Sequence, residues 1–222
     1  MRKAWAALAA AALMASGWGQ GGPAASAVFQ ADFSNPGISP SQWTLTLHPD
    51  GSGHFHSVMK PDPAGVEQQH MVVPDQDENI QVSPAYAQHV FQVAERHHFF
   101  NQQCESHLNV AFQGWKTFSY SGPDGKGSCK FNYSKDREIQ ALENSLEAVV
   151  QTLLEGARLE MLLEHDRLGL DREMRYLTNA VKEGRAQQIG AIRSILERLA
   201  NDPEVLDRVR KGATDLLARA DR

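Results

Sequence analysis

Two turns of nearly the same sequence, PDGSG at 49–53 and PDGKG at 123–127, each separate segments in which apolar and polar side chains alternate. Pro presets φ, Asp bonds to nearby backbone and Gly accepts positive φ, so the chain reverses at both places. Before the first turn, Trp43, Leu45 and Leu47 alternate with Thr44 and Thr46. A period of two belongs to a strand, and residues 42–59 are expected to form a β-hairpin. A second strand pair surrounds the second turn, with room for a third short strand before Gly114. If Gly122 and Gly127 close its loop, Tyr120 faces Cys129 and Phe118 faces Phe131. Phe118, Tyr120, Cys129, Phe131 and Tyr133 then share one face.

Between the hairpins, SPAYAQHVFQVAERHHFF (83–100) has helical spacing. Ser83 can cap, Pro84 suits the first helical position, and Tyr86, Val90, Val93 and Ala94 fall on one side. Residues 28–40, rich in Pro, Gly and Ser towards their end, read as a leader to the first strand. Residues 60–83 read as a polar loop with a short strand at HMVV. The architecture expected is α+β: an antiparallel sheet of about four strands, built from two hairpin–helix units, with helices on one face. The matched turns are a weak sign of duplication, because Pro-Asp-Gly is a common turn.

From Lys135 the periodicity changes. Asp136 can cap a helix, and Ile139, Leu142, Leu146, Val149 and Leu153 form an apolar stripe. This helix runs to about Arg167. Asp171 starts another, ended at Gly184; Ile189, Ile192, Leu196 and Leu199 mark a third; NDPE restarts a fourth. These make a C-terminal helical bundle or arm. The first half of the long helix is expected to complete the α+β core, leaving the later helices as a semi-independent unit.

The opening residues, MRKAWAALAAAALMASGWGQGGPAASA, have a positive start at Arg2 and Lys3, a short apolar run and a small-residue site at Ala25-Ser26-Ala27. They read as a secretory signal peptide. A retained N-terminal anchor is the competing reading, but the run is about half the roughly 20 residues a span needs. The division expected is thus a signal peptide over 1–27, a disulfide-stapled α+β domain over 28–157 and a helical region over 158–222. The mature protein is placed in the periplasm or secreted, with no membrane span after cleavage. In such a compartment the two cysteines, Cys104 and Cys129, most simply form one disulfide. A metal pair of Cys104 with His107 is the weaker alternative.

The segments CESHLNVAFQGWKTFSY, CKFNYSKDREIQALENSL and LEGARLEMLLEHDRLGLDREM together resemble a group of exported soil-bacterial proteins of unknown function. The resemblance covers most of the mature chain. It implies export and one paired-cysteine α+β domain, and carries no activity with it.

Candidate chemistry is sparse. In HPDGSGHFH (48–56), His54 and His56 are two apart on a strand and point to the same face. Such a pair can hold zinc or copper if further ligands arrive, and His48 could join in one register only. A polar strand face beside Thr44 and Thr46 is the preferred reading, since two histidines alone make an incomplete ligand set. His97 and His98 end a helix, where a cation suits the dipole. Glu160, Glu164 and His165 imitate a carboxylate–histidine motif, but no second Glu-x-x-His supports it. Asn132-Tyr133-Ser134 matches a glycosylation sequon, relevant only to a eukaryotic route. There is no Gly-x-Ser-x-Gly, His-Glu-x-x-His, phosphate loop or dinucleotide fingerprint.

The net charge is −5. Residues 28–134 carry five Lys/Arg against ten Asp/Glu, and residues 135–222 carry 15 against 17. The mixture reads as solvated helix faces, and no nucleic-acid partner is expected. The function expected is that of a non-enzymatic exported protein binding a protein partner in the cell envelope, with no cofactor. A histidine-based metal-handling role is the alternative. If the far face of the sheet is uncovered, aromatics near the second hairpin would form a patch for a partner.

Overall fold

A computed structural model of the chain describes residues 27–60 and 73–220. The expected signal peptide, except for Ala27, and three residues of HMVV lie outside the described residues. Val73 is buried but not in a strand.

Six strands form one sheet: β1 (Val28–Ser34), β2 (Gln42–Leu47), β3 (Ser52–Val58), β4 (Gln76–Gln81), β5 (Trp115–Gly122) and β6 (Gly125–Phe131). Their order is β4-β3-β2-β1-β5-β6, with every neighbouring pair antiparallel. The α+β expectation holds, with two strands more than expected. β1 is no leader but a central strand that pairs with a member of each hairpin. Phe29, Ala31 and Phe33 are buried on one side, while Gln30 and Asp32 face the other. The Pro-Gly-Ser stretch that follows it masked this alternation. β4 escaped notice because it is polar: only Ile80 of QDENIQ is buried. An edge strand with one open face needs little apolar side chain, since its backbone pairing to β3 supplies the order.

The β5–β6 register also differs. Phe118 lies opposite Cys129 and Lys116 opposite Phe131, because the turn closes tightly at Gly122 and Gly125. A slip of two residues keeps each side chain on its face, so the shared apolar face of Phe118, Tyr120, Cys129 and Phe131 survives.

The helices are α1 (Pro84–Arg96), α2 (Arg137–His165), α3 (Leu170–Lys182), α4 (Arg193–Asn201) and α5 (Asp207–Ala220). Ser83 caps α1 by accepting from the Tyr86 amide. Asp136 caps α2 by accepting from Glu138 and Ile139. The predicted stripe Ile139, Leu142, Leu146, Val149 and Leu153 is fully buried.

The 29 residues of α2 span about 43 Å, enough to cross the sheet. Near its start, Glu143 pairs with Lys116 of β5 at 3.1 Å. Further on, Glu160 is close enough to help raise Glu78 of β4, after burial, above the usual carboxylate range. The boundary expected between residues 157 and 158 therefore falls inside one continuous helix. The buried apolar side chains form a single cluster running from Phe29 of β1 to Leu216 of α5. Ser83 and Ala148 reach Gln188 and Gln187, which lie beyond α3, by direct hydrogen bonds. The C-terminal helices pack on α2 rather than standing apart as an arm.

Between α1 and β5 the chain makes an unusual turn. His98, Phe99 and Phe100 have φ of 53°, 56° and 63°. Left-handed backbone costs a non-glycine residue about 1–2 kcal/mol, so three in succession must be held by their surroundings. Phe100 is driven into the core, against Phe29 and Phe118 at 5.7 and 5.5 Å. Phe99 instead stacks on Tyr120 at 4.7 Å. Gly125 and Gly127 make the seat: a Cβ on either would collide with Phe99 or Asn101. Just downstream, the Cys104–Cys129 disulfide ties the segment to β6, with Cα atoms 5.7 Å apart.

Candidate functional site: the open sheet face

The two faces of the sheet differ completely. Helices cover the face holding Phe29, Leu45, Phe55 and Phe118, all essentially without exposure. The other face carries polar side chains in cross-strand ladders. The strand registers place Asn79, His54, Thr46, Gln30, Ser119 and Ser128 in one row. A second row runs Asp77, His56, Thr44, Asp32, Thr117 and Lys130. At about 4.8 Å per strand, each row is about 24 Å wide.

These rows are internally bonded. Asp32 accepts from the Thr44 hydroxyl at 2.8 Å and from the Gln30 amide at 3.0 and 2.9 Å, so its carboxylate is fixed in orientation. Ser119 and Ser128 share a hydrogen bond of 2.9 Å. At the β4 edge, His54 Nε2 meets Asp77 at 2.6 Å and Nδ1 meets Asn79 at 3.3 Å.

The sequence-predicted pair His54 and His56 thus lies on the open face, as the strand period requires. His54 is engaged by its neighbours on β4, and His56 stands across from Asp77. Among the described residues, no group of three His, Cys, Asp or Glu side chains is arranged to hold a metal ion. Cys104 is bonded to Cys129, which removes the Cys104–His107 pair from consideration as a thiolate site. His97, at the end of α1, is buried and bonded through Nε2 to Glu138 at 2.8 Å, with Gln102 on Nδ1. It fastens α1 to the start of α2 beside the Arg96–Glu138 ion pair. Glu160 and Glu164 face Arg198 of α4 at 3.7 and 4.0 Å, the surface charge row expected for them.

Trp115 is one of the aromatics near the second hairpin expected to form a patch if the far face were uncovered; its neighbours Phe112 and Lys130 were not singled out from sequence. Trp115 is 41% exposed and sits among polar neighbours on β5. The Lys130 ammonium lies 4.9 Å from its ring, and Phe112 packs on it at 5.9 Å. A cleft of about 260 Å³ lies here, lined by Asp32, Thr44, His56, Trp115, Thr117 and Lys130 among others. Leu108, Val110 and Phe112, on the loop leading to Trp115, are also exposed. The signal was present in the alternation. β5 reads Trp115, Thr117, Ser119 on the polar register and Lys116, Phe118, Tyr120 on the apolar one. Trp and Lys have exchanged the faces that hydrophobicity would give them.

Lys116 is only 2% exposed. Its ammonium is held by Glu143 of α2 and by the Asn132 carbonyl, each at 3.1 Å. A buried charge needs such partners. The open face therefore offers hydroxyls, amides, imidazoles, carboxylates, ammonium groups and an aromatic plate on a rigid support. Those groups suit recognition of a partner surface that is polar with an apolar spot.

Comparison with protein-family models, with curated proteins and with solved structures returns no match for this chain.

Proposed function

We propose that this is an exported, non-enzymatic binding protein of the cell envelope, and that the open sheet face is where its partner docks. The observation that carries the reading is the exposed Trp115, set with Phe112 and Lys130 beside a polar ladder that no helix covers. Exposed aromatic anchors within a polar surround are typical of protein-binding surfaces. The disulfide fits an oxidising compartment, which the leader-like opening residues would reach in the periplasm or outside the cell. Among the described residues, no helix is long and apolar enough to cross a membrane. Among the described residues, too, no histidine is bonded to a serine or threonine hydroxyl that it could activate.

A photoreactive side chain placed at Thr117 should give partner adducts in intact cells, while one at the exposed Asp215 of α5 should not. Adducts of equal yield from both positions, or from Asp215 alone, would remove the open face from the proposal. Mass spectrometry of the exported protein should show a chain beginning near Val28; recovery of the intact leader in the membrane fraction would favour an anchored form instead.

A further inference from the structure

The two Pro-Asp-Gly turns that organise the sequence converge in space. β1 lies between β2 and β5, so the β2–β3 turn and the β5–β6 turn both sit at the end of the sheet where β1 begins. A pocket of about 360 Å³ opens there. Pro49 of the first turn and Asp124 of the second form its rim, beside Ala27, the residue ahead of β1 that cleavage near Val28 would remove. Its wall is aromatic. Phe99 stacks on Tyr120 at 4.7 Å and Phe91 of α1 meets Tyr120 edge-on at 6.0 Å. Two carboxylates, Glu95 of α1 and Asp124, line the same space, with Gln88 and Gln92 completing the polar part. No Lys or Arg is among the lining residues.

The wall is built at a cost. Phe99 reaches Tyr120 only through the left-handed turn His98–Phe100, seated on Gly125 and Gly127. Backbone strain of this kind persists where the surroundings over-determine it, and it gathers at functional sites. Phe100 is fully buried in the core beneath, while Phe99 is only partly buried and packs on the core's edge, beside the pocket.

We propose that this pocket binds a small organic ammonium ion. Aromatic faces attract a cation through their quadrupole, most strongly where it is partly desolvated. The two carboxylates supply a matching negative field without crowding the aromatic wall. That field is already felt by Tyr120: after burial, the charges of Asp124 and Glu95 hold its hydroxyl proton more tightly than usual. The volume falls within the range of small-molecule pockets. The site lies at one end of the sheet beside α1 and is separate from the open-face cleft, so either can stand if the other falls.

Choline and its uncharged isostere 3,3-dimethyl-1-butanol separate charge recognition from shape. In amide NMR spectra of the purified protein, choline should shift the Phe91, Phe99 and Tyr120 signals saturably. The isostere should bind about tenfold more weakly. The variant E95Q/D124N changes only exposed side chains, so it should keep the native spectrum and lose most of the choline response. Equal binding of choline and isostere would reduce the site to an apolar crevice and overturn the proposal. So would an undiminished choline response in E95Q/D124N, or no saturable shift at these amides in the millimolar range.

Discussion

The two faces of this sheet are made by the same six strands, yet they are under opposite demands. On the helix-covered face most positions are settled by packing; its buried lysine, Lys116, is matched by Glu143, and a second charge, Glu78, sits at the β4 edge near Glu160. On the open face packing decides little, and side chains are tied to one another in shallow polar ladders. The faces meet in consecutive residues of β5: Trp115 looks out and Lys116 looks in. A buried lysine costs stability unless paired, and an exposed tryptophan contributes little of its possible burial energy. Both depart from what stability alone would choose. Such departures mark places where a fold answers to something beyond its own core.

The covered face depends on more than the helix that touches it. α2 is packed by the sheet on one side and by α3–α5 on the other, within one apolar cluster. Ending the chain after Arg167 would strip the outer layer from α2, where Thr152 donates to the Gln187 carbonyl and Gly156 lies against Ile192. The expected result is loss of cooperative melting, or an insoluble product, followed by calorimetry and soluble yield. A truncated chain that melts cooperatively with its disulfide intact would restore the semi-independent arm that the sequence suggested.

The next largest effect belongs to the buried charge. Lys116→Ala leaves Glu143 buried without its partner, a change that typically costs about 3–5 kcal/mol, or about 6–20 °C in melting temperature for a chain of this size. Replacing both residues together, Lys116→Met with Glu143→Leu, should recover most of that loss. If the double variant is as unstable as the single one, Lys116 matters through its aliphatic packing rather than its charge.

Much of the covered face was legible in the sequence, and for a physical reason. Burial forces periodicity, so the stripe of α2, the cap at Asp136 and both hairpins could be read directly. The β5–β6 register was misread by two residues because glycine permits several turn closures, and only the packing of Phe99 against Gly125 and Gly127 selects one. β4 carries little apolar signal, since its order comes from backbone pairing to β3. The pocket at the turns was invisible for a different reason. Pro49, Phe91, Phe99 and Asp124 are brought together by strand order, which no local pattern encodes. The open face fell between these cases: Thr44, His54 and His56 were read as a polar strand face, but nothing in the sequence showed that helices would leave it bare.

The disulfide tests how the left-handed turn is held. Closing 25 residues contributes about 3 kcal/mol in the chain-entropy account. Cys104→Ala with Cys129→Ala should lower the denaturant midpoint accordingly, and should broaden the amide signals of His98–Phe100 more than those of β2 and β3. An unchanged midpoint would mean that the glycine seat holds the segment by itself. Thiol titration of the unfolded, unreduced parent should find no free thiol.

A smaller effect comes from the helical layer. Glu155 is buried beside Glu173, with Gln151 donating to one of its oxygens at 2.7 Å. Burial first, then the hydrogen bond and charge of Glu173, push its carboxyl up to about 8. The folded protein keeps a proton that the unfolded chain releases above its ordinary value of 4.5. Stability from this group is therefore full at pH 4.5 and below, and declines as pH rises towards 8. Glu155→Gln should flatten that decline and raise the melting temperature at pH 8 by a few degrees. A variant whose pH slope matches the parent would show that Glu155 is ionised throughout.

The smallest change in stability should come from the open face, and it sharpens the comparison most. Trp115→Ala removes an exposed ring that touches chiefly Phe112 and Lys130, so the expected cost is about 0.5 kcal/mol. Three residues along the same strand, Phe118 packs on Phe29, Phe100 and Phe131 with almost no exposure. Phe118→Ala should cost about 3–5 kcal/mol. A large aromatic on the bare face contributes little to folding, which leaves it available for contact with something else. The measurement is a pair of chemical denaturation curves read together with cross-linking from Thr117 in each background. Trp115→Ala should leave the curve nearly in place and abolish the adducts. If it instead destabilises the protein as much as Phe118→Ala does, Trp115 is part of the core, and the open face loses its anchor.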